Sequence, residues 1–176
     1  NFLGALREEA AKKLGCEPSA VKFDIDKVTG GGKSLPLKDF AGLTREGAFL
    51  NKKHTYSYGT HVAHVAVDPK LGQVHLLEYL VIQDVGRAIN PLTLRGQIIG
   101  SLVQGLSGAM HEHLQYDEQG QFLTGSLADY LLPTACDFPN LRAIVEDNYP
   151  SPINPLGAKG AGEAGIAAAG GVMAGA

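Results

Sequence analysis

Apolar residues recur at helical spacing from Leu6 to Leu14, and Gly15 follows where a helix C-cap is expected. From Val21 to Val28 the period changes to two, with Val21, Phe23 and Ile25 set against Lys22, Asp24 and Asp26. That alternation predicts a half-buried strand. Thr29–Ser34 reads as a glycine-rich loop and Leu35–Ala41 as a short helix. A second alternating run, Tyr56–Asp68, ends in Asp68-Pro69-Lys70-Leu71-Gly72, where proline and glycine occupy turn positions. Val74–Val85 continues as a second strand, so the two runs predict an antiparallel hairpin.

Asn90-Pro91 is an N-cap followed by proline at the first helical position, and Leu92 to about Leu114 then reads as helix. Leu94, Ile98, Leu102, Leu106 and Met110 form its core stripe. The helix also holds Gly96, Gly100, Gly105 and Gly108, which at about 1 kcal/mol each forfeit about 3–4 kcal/mol relative to alanine. Gln97, Ser101, Gln104, Gly108 and His111 make one small, uncharged face. Two readings fit that face: the glutamines hydrogen-bond a large polar ligand, or another element packs closely there. Gln115–Gly120 is a turn leading to a strand at Gln121–Gly125, and Ser126–Cys136 and Leu141–Asp147 look extended, interrupted by Pro133 and Pro139. Strands and helices mix without strict βαβ alternation, which gives an α+β fold with mixed antiparallel strands and helices.

Composition narrows the class. A hydrophobic content of 44% and a charged content of 19% describe an ordinary folded protein. A net charge of -3 without a basic cluster argues against nucleic acid as a partner. No apolar run is long enough to span a bilayer. Cys16 and Cys136 form neither a disulfide framework nor a metal-ligand set, and they suit a reducing, cytoplasmic setting with the periplasm as the alternative. The chain starts at Asn1 inside a helix-like run and stops at Ala176 in another. The expectation is that 1–176 is one portion of a larger domain, incomplete at both ends.

Glycine is the unusual component, with 23 residues in 176 against a usual share of about 7%. The sharpest cluster is Gly157-Ala158-Lys159-Gly160-Ala161-Gly162-Glu163-Ala164-Gly165, reached through Pro150, Pro152 and Pro155. One carboxylate, Glu163, stands among residues that let another group approach the main chain. Such an acid suits a general base, although a plain surface loop has the same composition. Gly160–Gly165 formally matches G-x-G-x-x-G, but a proline-punctuated loop stands where a Rossmann strand must be. The pairs His111/His113 and His61/His64 lack metal-ligand spacing, so no metal-ligating residue is assigned.

Six blocks in order carry a family resemblance. They are Tyr58-Gly59-Thr60-His61, Asp84-Val85-Gly86-Arg87-Ala88-Ile89-Asn90-Pro91, Gly96-Gln97-Ile98-Ile99-Gly100 with Gln104-Gly105, Leu123-Thr124-Gly125-Ser126, Asp129-Tyr130, and Asn154 through Glu163. Together they resemble the C-terminal part of the molybdenum-binding large subunit of the molybdenum hydroxylases, the xanthine dehydrogenase, aldehyde oxidoreductase and aerobic carbon monoxide dehydrogenase family. The resemblance implies part of a molybdopterin-binding domain whose cofactor is molybdenum-molybdopterin, in bacteria often the cytosine dinucleotide form. It also implies oxidation of an aldehyde, purine, other N-heterocycle or carbon monoxide with water-derived oxygen. Glu163 matches the family's proton-accepting glutamate and Gln97 a glutamine that contacts the pterin. Gln104 is a further contact, and Ala161 and Gly162 supply close backbone.

The implied partners are the remainder of the large subunit, 2Fe-2S and FAD domains or subunits, a small-molecule substrate and further copies in an oligomer. A fragment of this extent is expected to be inactive alone. The rival expectation is a non-catalytic cofactor- or partner-binding domain, with the glycine-faced helix as an interface.

Overall fold

The spacing of Leu6, Ala10 and Leu14 is realised in α1 (Phe2–Leu14), which buries those residues and Ala11 against Val21, Val28 and Phe40. Gly15 caps it at φ 71°, and its N–H donates to Ala11 O at 2.8 Å. The expected single strand at 21–28 is instead two, β1 (Lys22–Phe23) and β2 (Lys27–Gly30), paired antiparallel. Asp24 explains the break. Its N–H donates to Lys27 O at 2.9 Å and its carboxylate accepts the Ile25 N–H at 2.9 Å, closing a turn that leaves Ile25 96% exposed. The expected loop at 29–34 is likewise a hairpin. Gly31 and Gly32, at φ 56° and 76°, supply the two positive-φ positions that join β2 to β3 (Lys33–Pro36). Because Leu35 and Pro36 pair within β3, the short helix expected from Leu35 contracts to a 3-10 turn, Leu37–Phe40.

The structure, a computed structural model, describes residues 2–50 and 53–176. The elements above form one unit, Asn1–Leu50, and a second unit spans Asn51–Ala176. In the second, β4 (Gly59–Asp68) and β5 (Gln73–Asp84) form the expected antiparallel hairpin, with a bulge between His64 and Val65. The Asp68 carboxylate accepts the N–H groups of Lys70 and Leu71 at 2.8 and 3.2 Å, which fixes the turn. β6 (Leu141–Glu146) lies parallel to β5, from Tyr79 opposite Leu141 to Asp84 opposite Glu146.

α2 (Pro91–Met110) starts where expected, and the Asn90 side chain accepts from the N–H groups of Leu92 and Thr93. Ile98, Leu102 and Leu106 pack with Tyr79, Val81 and Val85 into one core. The helix ends at Met110 rather than near Leu114. Thr124 captures the next residues, donating to His113 O at 3.0 Å and accepting from Gln115 N–H at 3.1 Å. The strand expected at Gln121–Gly125 amounts to a single bridge between Tyr116 and Phe122. A short α3 (Ala169–Gly175) packs against α2. Among the described residues no helix is long and apolar enough to cross a membrane.

Leu102 is fully buried at the centre of this core. Leu102→Ala is expected to cost about 2–5 kcal/mol, read as a lower thermal unfolding midpoint of the purified protein.

Candidate functional site

The approach to the glycine loop is held by one asparagine. Asn154 Oδ1 accepts the N–H groups of Leu156 and Ala158 at 3.1 and 3.2 Å, and its Nδ2 donates to Ala158 O at 2.7 Å. The loop then joins the end of β5: Arg87 N–H donates to Gly157 O, and Lys159 N–H to Val85 O. The Lys159 ammonium also pairs with the Asp84 carboxylate, and both side chains are largely withdrawn from water. Burial pulls the Asp84 carboxyl upward. The hydrogen bond from Lys159, the Gly86 N–H at 2.8 Å and the lysine charge outweigh it and hold the group below its ordinary 3.8.

Beyond Lys159 the loop lies on α2. Gly165 N–H donates to the Ser101 hydroxyl at 2.9 Å, and that hydroxyl donates to Ile98 O at 3.0 Å. A Cβ at residue 165 would stand 2.3 Å from Leu102 N and 2.5 Å from Ile98 O, so only glycine fits. Gly105 plays the matching part on the helix, where a Cβ would meet Ala169 at 2.7 Å and Ile166 Cα at 3.0 Å. Gly96, Gly100 and Gly108 have open space beside them. Close packing therefore accounts for one of the four helical glycines.

Three side chains hold alternate carbonyls of the loop. The Ser57 hydroxyl donates to Gly160 O, Gln97 Nε2 to Gly162 O at 3.2 Å, and His61 Nε2 reaches Ala164 O at 3.2 Å. Burial lowers the His61 pKa, against a smaller upward pull from the Ala164 carbonyl. Among the described residues the N–H groups of Gly160, Ala161, Gly162 and Glu163 donate to no acceptor within the chain. They belong to residues that line a depression of about 420 Å³, together with His61, Gln83 and Ser57.

Glu163 lines this depression, is exposed, and has no ion-pair or hydrogen-bond partner among the described residues. Ala161 and Gly162 line it too. Gln97 and Ala161 also line a neighbouring depression of about 360 Å³ with Arg87, Asn90 and Lys159. Four of the five residues singled out from sequence thus come together. Gln104 is exposed, lines neither depression, and lies seven residues, about 10 Å, further along α2. The sequence shows His61 as half of a histidine pair and as the end of one family-like block, and neither points to its hold on Ala164.

A pterin carrying molybdenum fits these residues. Among the described residues no group of three or more His, Cys, Asp or Glu could hold a metal ion. The wall instead offers consecutive main-chain N–H groups and an amide, the donors and acceptors that a polar heterocycle pairs with.

Gly165→Ala is expected to destabilise the protein by about 1–3 kcal/mol or more, read by thermal unfolding, because backbone atoms leave the methyl no room. Asp84 has a depressed folded-state pKa, so its contribution is present above the ordinary value and is lost as pH falls through the lower folded value. Asp84→Asn should lower the unfolding midpoint at neutral pH and flatten its decline below about pH 4, which a melting series across acid pH would show.

The family model of the molybdopterin cofactor-binding domain matches residues 1–139, which stop before the Glu163 loop. The chain is 45% identical over 136 residues to the 6-hydroxypseudooxynicotine dehydrogenase complex subunit gamma of Paenarthrobacter nicotinovorans, covering 77% of this chain and 17% of that protein. It is 32% identical over 170 residues to the aldehyde oxidoreductase molybdenum-binding subunit PaoC of Escherichia coli, covering 92% and 23%. Its fold superposes on the Cu,Mo-CO dehydrogenase with a TM-score of 0.76 at 28% identity, over 97% of this chain and 23% of that one. Quinoline 2-oxidoreductase from Pseudomonas putida gives 0.76 at 27% identity, over 96% and 24%. The chain therefore spans about a fifth of the length of these relatives. It belongs to the molybdopterin cofactor-binding domain family.

Proposed function

We propose that this chain is the part of a molybdenum-dependent hydroxylase large subunit that carries the catalytic base, Glu163, and one wall of the pterin site. The observation that supports this most is the run of main-chain N–H groups from Gly160 to Glu163, unpaired within the chain among the described residues. They share a depression with a carboxylate that has no partner among those residues. When bound, the molybdenum cofactor supplies the redox centre and the water-derived oxygen transferred to an electron-poor carbon.

The chain's residues do the rest. Gly160 and Gly162 leave the main chain open, so a planar heterocycle can lie against it and accept the loop's N–H groups. Gln97 uses Nε2 to hold Gly162 O, which leaves its Oε1 to accept an N–H from that heterocycle. Ala161 and Gly162 supply the close backbone, and Gln104 is a more distant contact for a longer cofactor tail, such as the cytosine dinucleotide form. Glu163, free of competing cations in the described chain, takes a proton at a carboxylate oxygen as substrate is oxidised.

The substrate is an aldehyde, a purine or other N-heterocycle, or carbon monoxide. Electrons leave through 2Fe-2S and FAD domains or subunits of a cytoplasmic, oligomeric enzyme, a setting that the two free cysteines suit. In the full enzyme, Glu163→Gln is expected to lower kcat by about 10²–10⁴ while molybdenum and pterin contents stay unchanged. Near-normal turnover in that variant would overturn the assignment. Full-length protein that purifies without molybdenum would favour the non-catalytic reading.

A further inference from the structure

We propose that His61, braced by Tyr79, is a positioning residue for the Glu163 loop: its Nε2–H donates to the Ala164 carbonyl and fixes the peptide that follows the base. The proposal rests on the reading of Glu163 as the base. His61 stands on β4 opposite Val81 of β5, and it lines the same depression as Glu163. Its two ring nitrogens meet partners of different kinds. A carbonyl oxygen only accepts, so the nitrogen 3.2 Å from Ala164 O carries the hydrogen. In the neutral ring Nδ1 is then an acceptor, and the Tyr79 O–H, 3.1 Å away, donates to it.

The order of the chain is therefore set: Tyr79 O–H to Nδ1, then Nε2–H to Ala164 O. Tyr79 is fully buried, and among the described residues its hydroxyl bonds His61 alone. Its ring meets the imidazole edge-on, with centroids 5.8 Å apart and planes at 85°. That contact fixes the imidazole from the core side. Burial favours the uncharged imidazole, the form that this directional chain uses.

Ser57 and Gln97 hold the carbonyls of Gly160 and Gly162, on the near side of Glu163. His61 holds the carbonyl of Ala164, on its far side. Glu163 is thus clamped on both sides; beyond it His61 ties the Ala164 carbonyl to Tyr79 in the core, and Ser101 holds the next N–H, that of Gly165. A base displaced by about 1 Å can lose as much as about a hundredfold in rate.

The test uses the complete, cofactor-loaded enzyme. A glutamine side chain can place an N–H near the position of the histidine Nε2, whereas asparagine reaches only as far as Nδ1. His61→Asn is expected to raise hydrogen–deuterium exchange across residues 160–168 and to cut kcat about tenfold to a hundredfold. KM should stay within about threefold, and molybdenum and pterin contents should not change. His61→Gln is expected to return exchange and kcat to within about threefold of the original. If His61→Asn does not fold, Tyr79→Phe carries the test, since removing the hydroxyl alone should raise exchange in the same segment. Equal effects of asparagine and glutamine, or unaltered exchange in His61→Asn and Tyr79→Phe, would overturn the proposal. Glu163→Gln separates the two ideas. If it remains active while the His61 variants loosen the loop, the base reading fails and the tether stands; if it is inactive while exchange never changes, the tether alone fails.

Discussion

The loop and the helix beneath it meet at a separation that excludes even a methyl group. At residue 165 a Cβ would overlap Leu102 N, Ile98 O and the Ser101 hydroxyl, and at residue 105 it would overlap Ala169. Main chain on main chain sets the distance, so side-chain rotation cannot relax it. Glu163 stands two residues before that contact, and Gln97 reaches Gly162 from one turn before Ser101 on the same helix. The position of the carboxylate follows from this seat. The helix is itself fixed by Ile98, Leu102 and Leu106, buried against the inner face of β5.

The candidate site therefore joins elements with different demands. The helix face toward the sheet is apolar and closely packed, as soluble helices require. Its other contacts are small or uncharged: Gly105, Ser101 and Gln97. A lysine or glutamate at 101 or 105 would be desolvated against the loop backbone with no partner to offset it. Among the described residues the only close ion pair that serves the loop, Asp84 with Lys159, sits at the end of β5, where the loop bonds to the strand.

How much of this was legible depends on how local each signal is. The Asn90-Pro91 start of α2, the Asp68–Gly72 turn and the Gly15 cap are each settled by side chains within a few residues, and each is where the pattern placed it. The split at Asp24 was hidden because the alternation runs unbroken from Val21 to Asp26, while the turn is written in one aspartate that bonds its own backbone. The end of α2 could not be read, since Thr124, eleven residues beyond His113, decides it. The parallel pairing of β6 with β5 is equally non-local. At the site, the glycines and Glu163 stood out by composition. His61 did not, because one histidine in an alternating strand has no local mark of what its ring will touch. Of the four helical glycines, the sequence could not say that Gly105 alone is packed tightly.

The separation in sequence between the loop and its holders has a consequence for how the protein is made. Ser57 and His61 each lie 103 positions before the carbonyl they hold, Lys159 lies 75 after Asp84, and Gly162 lies 65 after Gln97. None of these contacts can close until residues 159–164 have left the ribosome, and each pays the entropy of a long chain closure. The hairpin and α2 are built largely from neighbours and can be in place beforehand. The loop that carries the carboxylate is thus seated after the hairpin and α2 on which it rests. A newly made chain passes through a period in which the hairpin and α2 can pair while the loop and Ala169 have yet to join them.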